Sequence, residues 1–219
     1  MQQFVRAVTE LLDLSVRQVY KYVTCIFNSR IFTNLFSDCS RDIVFILDGS
    51  TSIGAGNHSY LRYFVQGVIR SLQIGYRDSL VAMVEYSDTA RVEWYLTDHM
   101  TPGDLLSAAS NIPYVTGTTA THAAFWLTRN SVLTSRHGAR DNADDIVVFV
   151  TDGGTDLPGM AINEARQLHE QGVEIIALGV GESPDDHELD QIKSTFSYKV
   201  ATYGQLKYVI QSVIHDLCV

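Results

Sequence analysis

Asp42-Ile-Val-Phe-Ile-Leu-Asp48-Gly-Ser-Thr-Ser52 is the stretch whose reading decides the fold. Its uninterrupted apolar run predicts a central strand buried on both faces, as in a parallel sheet covered by helices. Immediately after the strand, the apolar run gives way to Asp48-Gly49-Ser50-Thr51-Ser52, a short loop rich in side-chain oxygen. A second buried strand, Asp145 to Thr151, ends the same way, in Thr151-Asp152-Gly153. Between them, Gly117-Thr118-Thr119 leads into a helical pattern over Thr119 to Thr134. Ligand sites in open α/β sheets lie beyond the carboxyl ends of strands, where strand order reverses. The three oxygen-rich segments therefore mark where chemistry is expected.

Outward from this stretch, strands and helices alternate. Helices are predicted over His58–Leu72, Pro102–Ser110, Gly159–Gln171, Asp185–Ser194 and Tyr203–Leu217 from apolar spacing, with Thr101-Pro102 and Ser183-Pro184 as openers and Gly172 as a stop. Strands are predicted over Ser79–Tyr86, Ala90–Leu96, Val173–Val180 and, weakly, Tyr198–Ala201. The first two flank Ser87-Asp88-Thr89 and are expected to form an antiparallel hairpin. The alternation implies an α/β fold with a mostly parallel sheet and right-handed crossovers. Residues 1–38 differ. Val5, Val8, Leu11, Leu12, Val16, Val19, Tyr20 and Val23 fall at helical spacing, so this part is read as an amphipathic helical extension preceding a domain at 39–219.

Composition narrows the function classes. The chain has 219 residues, 46% hydrophobic and 19% charged, with formal charge −9 and an isoelectric point near 5.1. No run of Lys and Arg could build a nucleic-acid face, and anionic lipid is disfavoured for the same reason. No stretch reads as a membrane span. Met1 to Thr9 lacks the pattern of a secretory leader, so a fragment of a longer protein is one reading. Of three cysteines, Cys39 and Cys218 bracket the regular pattern. A disulfide between them would close the domain and place it in an oxidising compartment; two unrelated thiols are the alternative. Cys25 is left over. Asn57-His58-Ser59 is an N-glycosylation sequon, read here as lying in a loop after the oxygen-rich segment.

The donor types suit a hard cation. Mg²⁺ takes oxygen ligands at about 2.0–2.1 Å in octahedral geometry and keeps several waters. Ser50, Ser52 and Thr119 offer hydroxyls, while Asp48 and Asp152 offer carboxylates that bind or hold waters in place. Gly49 and Gly153 are expected to relieve crowding at the turns. Each of these residues taken singly is more often a helix cap or turn former. Asp156 is expected on solvated surface, and His122 is not expected to bind a hard cation. Enzyme readings fit less well. An aspartyl-phosphate phosphatase needs a second Asp two residues after the first, where Ser50 stands. A serine hydrolase needs G-x-S-x-G, and Ser50 occupies the first glycine position before Ser52.

Asp48-x-Ser50-x-Ser52, Thr119 and Asp152-Gly153, set within DIVFILDGSTSIG, VTGTTATHAAF and VVFVTDGGTD, together resemble the metal-ion-dependent adhesion site of von Willebrand factor type A domains. The resemblance covers about Arg41 to Val219. It implies a doubly wound, Rossmann-like, six-stranded sheet with one antiparallel edge strand and helices on both faces. It also implies a bound Mg²⁺, replaceable by Mn²⁺ or Ca²⁺, that accepts a Glu or Asp carboxylate from an extracellular-matrix or cell-surface protein. The stretch Gly153 to Gly172 holds a single helix, too short for the extra helix of integrin-type collagen binders. The chain therefore looks closer to the A domains of non-fibrillar collagens and matrilins, whose cysteine placement Cys39 and Cys218 also fit. The expected protein is a secreted, non-enzymatic binding module. The alternatives are a structural matrix-assembly domain whose metal carries little weight and, further off, a metal-dependent hydrolase.

Overall fold

The computed structural model describes residues 39–194 and 196–218; the expected extension at 1–38, with Cys25, lies outside them. β1 (Arg41–Asp48) is the central strand, with Ile43 to Leu47 wholly buried. It is flanked by β2 (Leu80–Tyr86) and β4 (Asp144–Thr151), both parallel to it. β3 (Ala90–Trp94) runs antiparallel to β2 at one edge. β5 (Glu174–Val180) and β6 (Ser197–Val200) extend the other side in parallel, giving the order β3-β2-β1-β4-β5-β6. The chain winds one way from β1 to β3 and the other way from β4 to β6, so strand order reverses between β1 and β4. Asp48 and Asp152 leave the sheet at that point.

Both faces of the sheet are covered, which is why its four inner strands, β1, β2, β4 and β5, are near-continuous apolar runs rather than alternating, while the edge strands β3 and β6 carry charged residues. Helices α1 (Gly54–Ile69), α2 (Pro102–Ser110) and α6 (Leu206–Leu217) pack together on one face. There Phe64 of α1 meets Phe45 edge to face, with ring centroids 6.3 Å apart. On the other face lie α3 (Thr121–Leu127), α4 (Pro158–Glu170) and α5 (Asp186–Ile192). Their core includes Phe125, Ala165, Leu168, Leu189 and Ile192, packed over Val44, Ile46, Val147, Phe149 and Ile175. The expected two-faced sheet with an antiparallel edge is therefore what forms.

Three helix expectations need correction. α1 starts at Gly54 rather than His58, so Asn57 of the sequon is an exposed residue in a first helical turn, not in a loop. The Gly54-Ala-Gly-Asn turn carries no apolar spacing. It forms because Ile53 is buried beneath it and the Gly54 N–H donates to the Tyr114 hydroxyl at 3.0 Å. The long helix expected over Thr119 to Thr134 is instead α3, followed by a widened π turn at Thr128–Val132 and a short 3₁₀ turn at Ser135–His137. The Arg129–Glu164 ion pair, at 2.7 Å, ties the π turn to α4. Finally, Asp185 caps α5, accepting from the His187 and Glu188 N–H groups, so Ser183-Pro184 is not its opener.

The end of the sheet opposite Asp48 gathers acidic groups. Burial, with Asp42 and Asp144 nearby, raises the Asp145 carboxyl to about 6. Its Oδ1 is buried and finds no hydrogen-bond partner among the described residues. Between the unfolded and folded titration ranges the native state holds this proton more tightly, so stability falls as pH rises from about 4 to about 6 and stays lower above. Asp145→Asn is expected to raise the urea midpoint at pH 7 and to flatten the pH dependence between 4 and 6. An unchanged slope would show that Asp145 is not the group responsible.

Candidate metal centre

Asp48 closes β1 with its carboxylate fully buried. Oδ1 accepts from the Ser50 N–H at 2.8 Å, and Oδ2 accepts from the Thr151 hydroxyl at 3.0 Å. β1 and the end of β4 are thus joined through one carboxylate. The Ser52 hydroxyl donates to Asp152 Oδ1 at 2.9 Å. Its proton is committed there, so Ser50 donates in the 2.9 Å contact between the two serine hydroxyls. Asp48, Ser50, Ser52 and Asp152 therefore form one hydrogen-bonded chain across two loops, although Ser52 and Asp152 are 100 residues apart.

Thr119 sits in a third loop clamped to the first. Gly117 carbonyl accepts from the Thr51 N–H at 3.0 Å and from the Thr51 hydroxyl at 3.1 Å. The Thr118 N–H donates to Asp88 Oδ1 at 2.7 Å, and the Ala120 N–H to Ser87 O at 2.9 Å. From the other side, the Thr119 N–H donates to Asp156 Oδ2 at 2.9 Å while Thr119 O accepts from the Thr155 hydroxyl at 2.8 Å. Asp156 is exposed, as expected, but it has work there: hydrogen bonds from Thr118 and Thr119 hold its carboxyl below the usual range. His122 lies in the first turn of α3 and takes no part in these bonds.

Glycine is required at two positions. A Cβ on Gly49 would come within 3.1 Å of the Val115 carbonyl oxygen as well as 2.7 Å of the Glu85 Oε1 side-chain atom, and one on Gly117 within 2.8 Å of the Asp88 backbone nitrogen. Gly153 is different, since a Cβ there would meet nothing within 4 Å. The expectation that crowding selects glycine holds for Gly49 and not for Gly153.

Three tyrosines complete the site, and sequence reading missed them. Tyr114 staples the first loop, donating to Ser50 O at 3.1 Å while accepting from Gly54. Tyr86, the last residue of β2, and Tyr203, at the start of the 3₁₀ turn Tyr203–Gln205 before α6, both have buried hydroxyls that close no hydrogen bond among the described residues. Burial and then Asp48 push the Tyr86 phenol well up. Burial and then Asp152 do the same for Tyr203. Tyr86 could have been found by asking which other strand ends at the same edge. Tyr114 and Tyr203 carry no local signal.

Burial is also the main reason that the Asp48 carboxyl is raised, with Asp152 adding to it. Two carboxylates and two serine hydroxyls thus converge, with the buried Tyr86 phenol beside Asp48, and among the described residues no positive side chain is bonded to any of them. Among the described residues no three His, Cys, Asp or Glu gather as a metal site. Any cation here would draw on hydroxyls and waters beside at most these two carboxylates, an all-oxygen donor set suited to hard ions. The orphaned Tyr86 phenol fits such a site, because buried hydroxyls need partners and bound waters would supply them.

This fold and this constellation define a class, and the chain belongs to it: the von Willebrand factor type A domain family model matches residues 42–212. Among curated proteins, the chain is 30% identical over 189 residues to the collagen alpha-1(XII) chain of Notophthalmus viridescens, covering 83% of this chain and 20% of that one. It is 29% identical over 185 residues to cochlin of Homo sapiens, covering 82% and 32%. Against matrilin-1 of Mus musculus it is 31% identical over 159 residues, covering 72% and 31%. The chain spans a third or less of the length of these relatives, which are matrix proteins, as the sequence reading expects. Among solved structures, proximal thread matrix protein 1 from the mussel byssus, with a zinc-occupied adhesion-site motif, superposes with a TM-score of 0.75 at 25% identity, covering 83% of this chain and 47% of that one. Manganese-loaded TRAP protein of Plasmodium vivax, at TM-score 0.68 and 21% identity over 81% of this chain and 74% of that one, shares the fold.

Proposed function

We propose that Asp48, Ser50, Ser52, Thr119 and Asp152 hold one divalent cation, Mg²⁺ by preference, and that the domain uses it to grip a Glu or Asp side chain of a protein partner. The observation that carries this reading is the unbroken chain from Asp48 through Ser50 and Ser52 to Asp152. Ser50, Ser52 and Thr119 would be the hydroxyl ligands. Asp48 and Asp152 would bind directly or through water. A bound divalent ion would supply a positive charge only partly neutralised by this set, and so able to attract an outside carboxylate.

Binding fits better than catalysis. Both oxygens of Asp48 are engaged, by Ser50 and by Thr151, which leaves it poorly placed as a nucleophile. The zinc and manganese named for the two solved structures belong to those proteins, and they favour trying Mn²⁺ beside Mg²⁺ here. The matrix relatives and the disulfide that joins Cys39 to Cys218 support a secreted protein acting in the extracellular matrix or at a cell surface. Among the described residues no helix is long and apolar enough to cross a membrane.

The test is calorimetric titration of the full chain with MgCl₂ and MnCl₂, alongside Ser50→Ala and Asp152→Ala. Wild type is expected to bind, and each variant to bind at least on the order of a hundredfold more weakly, because a metal ligand counts for more than the outer partners whose loss costs about 10–100-fold. Equal thermal midpoints in chelator would show that the variants fold. No heat from wild type would overturn the metal reading and leave a structural A domain. Partner capture that is as strong in chelator as in Mg²⁺ would overturn the carboxylate bridge.

A further inference from the structure

Asn57-His58-Ser59 stands on the rim that carries the first loop of the candidate metal centre, which does not use it. α1 begins directly after that loop, so its first turn lies at the same end of the sheet as Asp48. His58 fixes the turn from below: its ring is buried and packs against Tyr114, with centroids 5.1 Å apart. Asn57 is exposed, and its amide enters no hydrogen bond among the described residues. The surface around it is open. Ala55 and Gly56 are exposed beside it, and a Cβ built on Gly54 or Gly56 would meet nothing within 4 Å. A bulky, solvated group attached at this amide therefore has room and breaks no contact. Tyr60 follows one turn later on a neighbouring part of the helix surface, 47% exposed. Its ring offers an apolar platform for the less polar face of a sugar.

Resting on the secreted reading above, we propose that Asn57 carries an N-linked glycan whose innermost sugar lies against Tyr60. The co-reactant is a lipid-pyrophosphate-linked oligosaccharide, met on entry to the secretory pathway. Asn57 Nδ2 attacks the anomeric carbon and forms the carbon–nitrogen bond. The carbon–oxygen bond to pyrophosphate breaks, the lipid pyrophosphate leaves with that electron pair, and the amide gives up one proton. Residues two apart on a helix do not face each other, and in the folded domain Ser59 Oγ already accepts from Arg62 at 3.1 Å. Transfer therefore precedes the folding of α1. The finished glycan stands on the α1 side of the candidate metal centre, across the sheet from α3 and α4.

The test uses the full chain behind a secretory leader, expressed in cultured animal cells. Peptide mapping of the secreted protein is expected to find Asn57 glycosylated. Peptide N-glycosidase in heavy-oxygen water is then expected to remove the added mass and leave a labelled aspartate at that position. Asn57→Gln and Ser59→Ala are each expected to lose the glycan, and Ser59→Thr to keep it. Removing the glycan from folded protein is expected to lower the thermal midpoint of wild type and to leave that of Tyr60→Ala unchanged. An equal response in both would overturn the Tyr60 contact. A bare Asn57 in molecules whose Cys39–Cys218 bond has formed would overturn the modification site and leave the secreted reading standing. A chain kept inside the cell with both cysteines reduced and Asn57 bare would remove both.

Discussion

Removing the Cys39–Cys218 disulfide, by reduction or by Cys39→Ser with Cys218→Ser, is expected to lower the unfolding free energy by about 5 kcal/mol, the figure that loop-closure entropy gives for a loop of this length. The bond joins residues 179 apart in sequence, linking the entry to β1 with the end of α6. Released, the unfolded chain regains the freedom of nearly the whole domain. The native state loses the anchor of its last helix as well. α6 otherwise holds to α1 through contacts such as Ile210 against Gly67, where an added Cβ would sit 2.5 Å from Ile210 Cδ1. Urea unfolding with and without reductant measures the effect, read as a shift in midpoint at constant slope. A loss under about 1 kcal/mol would mean that the reduced unfolded chain keeps structure of its own, which the loop-entropy argument omits.

Arg140→Ala is expected to cost about 3–5 kcal/mol, the usual consequence of leaving one partner of a buried ion pair uncompensated. Asp42, fully buried at the start of β1, accepts from Arg140 Nε at 2.8 Å through Oδ1 and from the Arg140 N–H at 2.7 Å through Oδ2. Nη2 also lies 2.7 Å from Asp42 Oδ1, and the guanidinium donates further to two backbone carbonyls, Tyr76 O at 2.8 Å and Arg41 O at 3.1 Å. One side chain thereby ties the loop before β4 to β1 and to the loop before β2. Burial already raises the Asp42 carboxyl despite Arg140, so without the cation it can only protonate or admit water. Adding Asp42→Asn to Arg140→Ala should recover part of the loss, because the buried charge goes with it. If the double variant is less stable than the single by the full cost of Asp42→Asn alone, the two residues are not coupled and the ion-pair account fails. This pair lies at the opposite end of the sheet from the proposed metal centre, so neither variant is expected to change Mg²⁺ affinity.

The two-faced strands were legible because burial on both sides leaves a continuous apolar run, as in Ile43 to Leu47 and Ile146 to Val150. The helices were legible where apolar spacing carried them and not elsewhere. The first turn of α1 is small and polar, and it depends on Tyr114, which lies 60 residues away. The break after Leu127 has no Gly or Pro to announce it; a single apolar pattern runs through the α turn and the π turn alike.

Asp48, Ser50, Ser52, Thr119 and Asp152 could be named from the chain because their types and their places at strand ends are local properties of the sequence. The sequence by itself determined the layered α/β class and the placing of these oxygen-bearing residues at one end of the sheet. Only the tertiary structure decided that Ser52 reaches Asp152, that Asp156 and Asp88 hold the Thr118–Thr119 segment, and that the Tyr114 hydroxyl staples the first loop through Ser50 O. The physical reason is one of range. Periodic burial is written residue by residue, whereas a hydrogen bond between segments 30 to 100 residues apart depends on strand order and on packing, which no local pattern encodes.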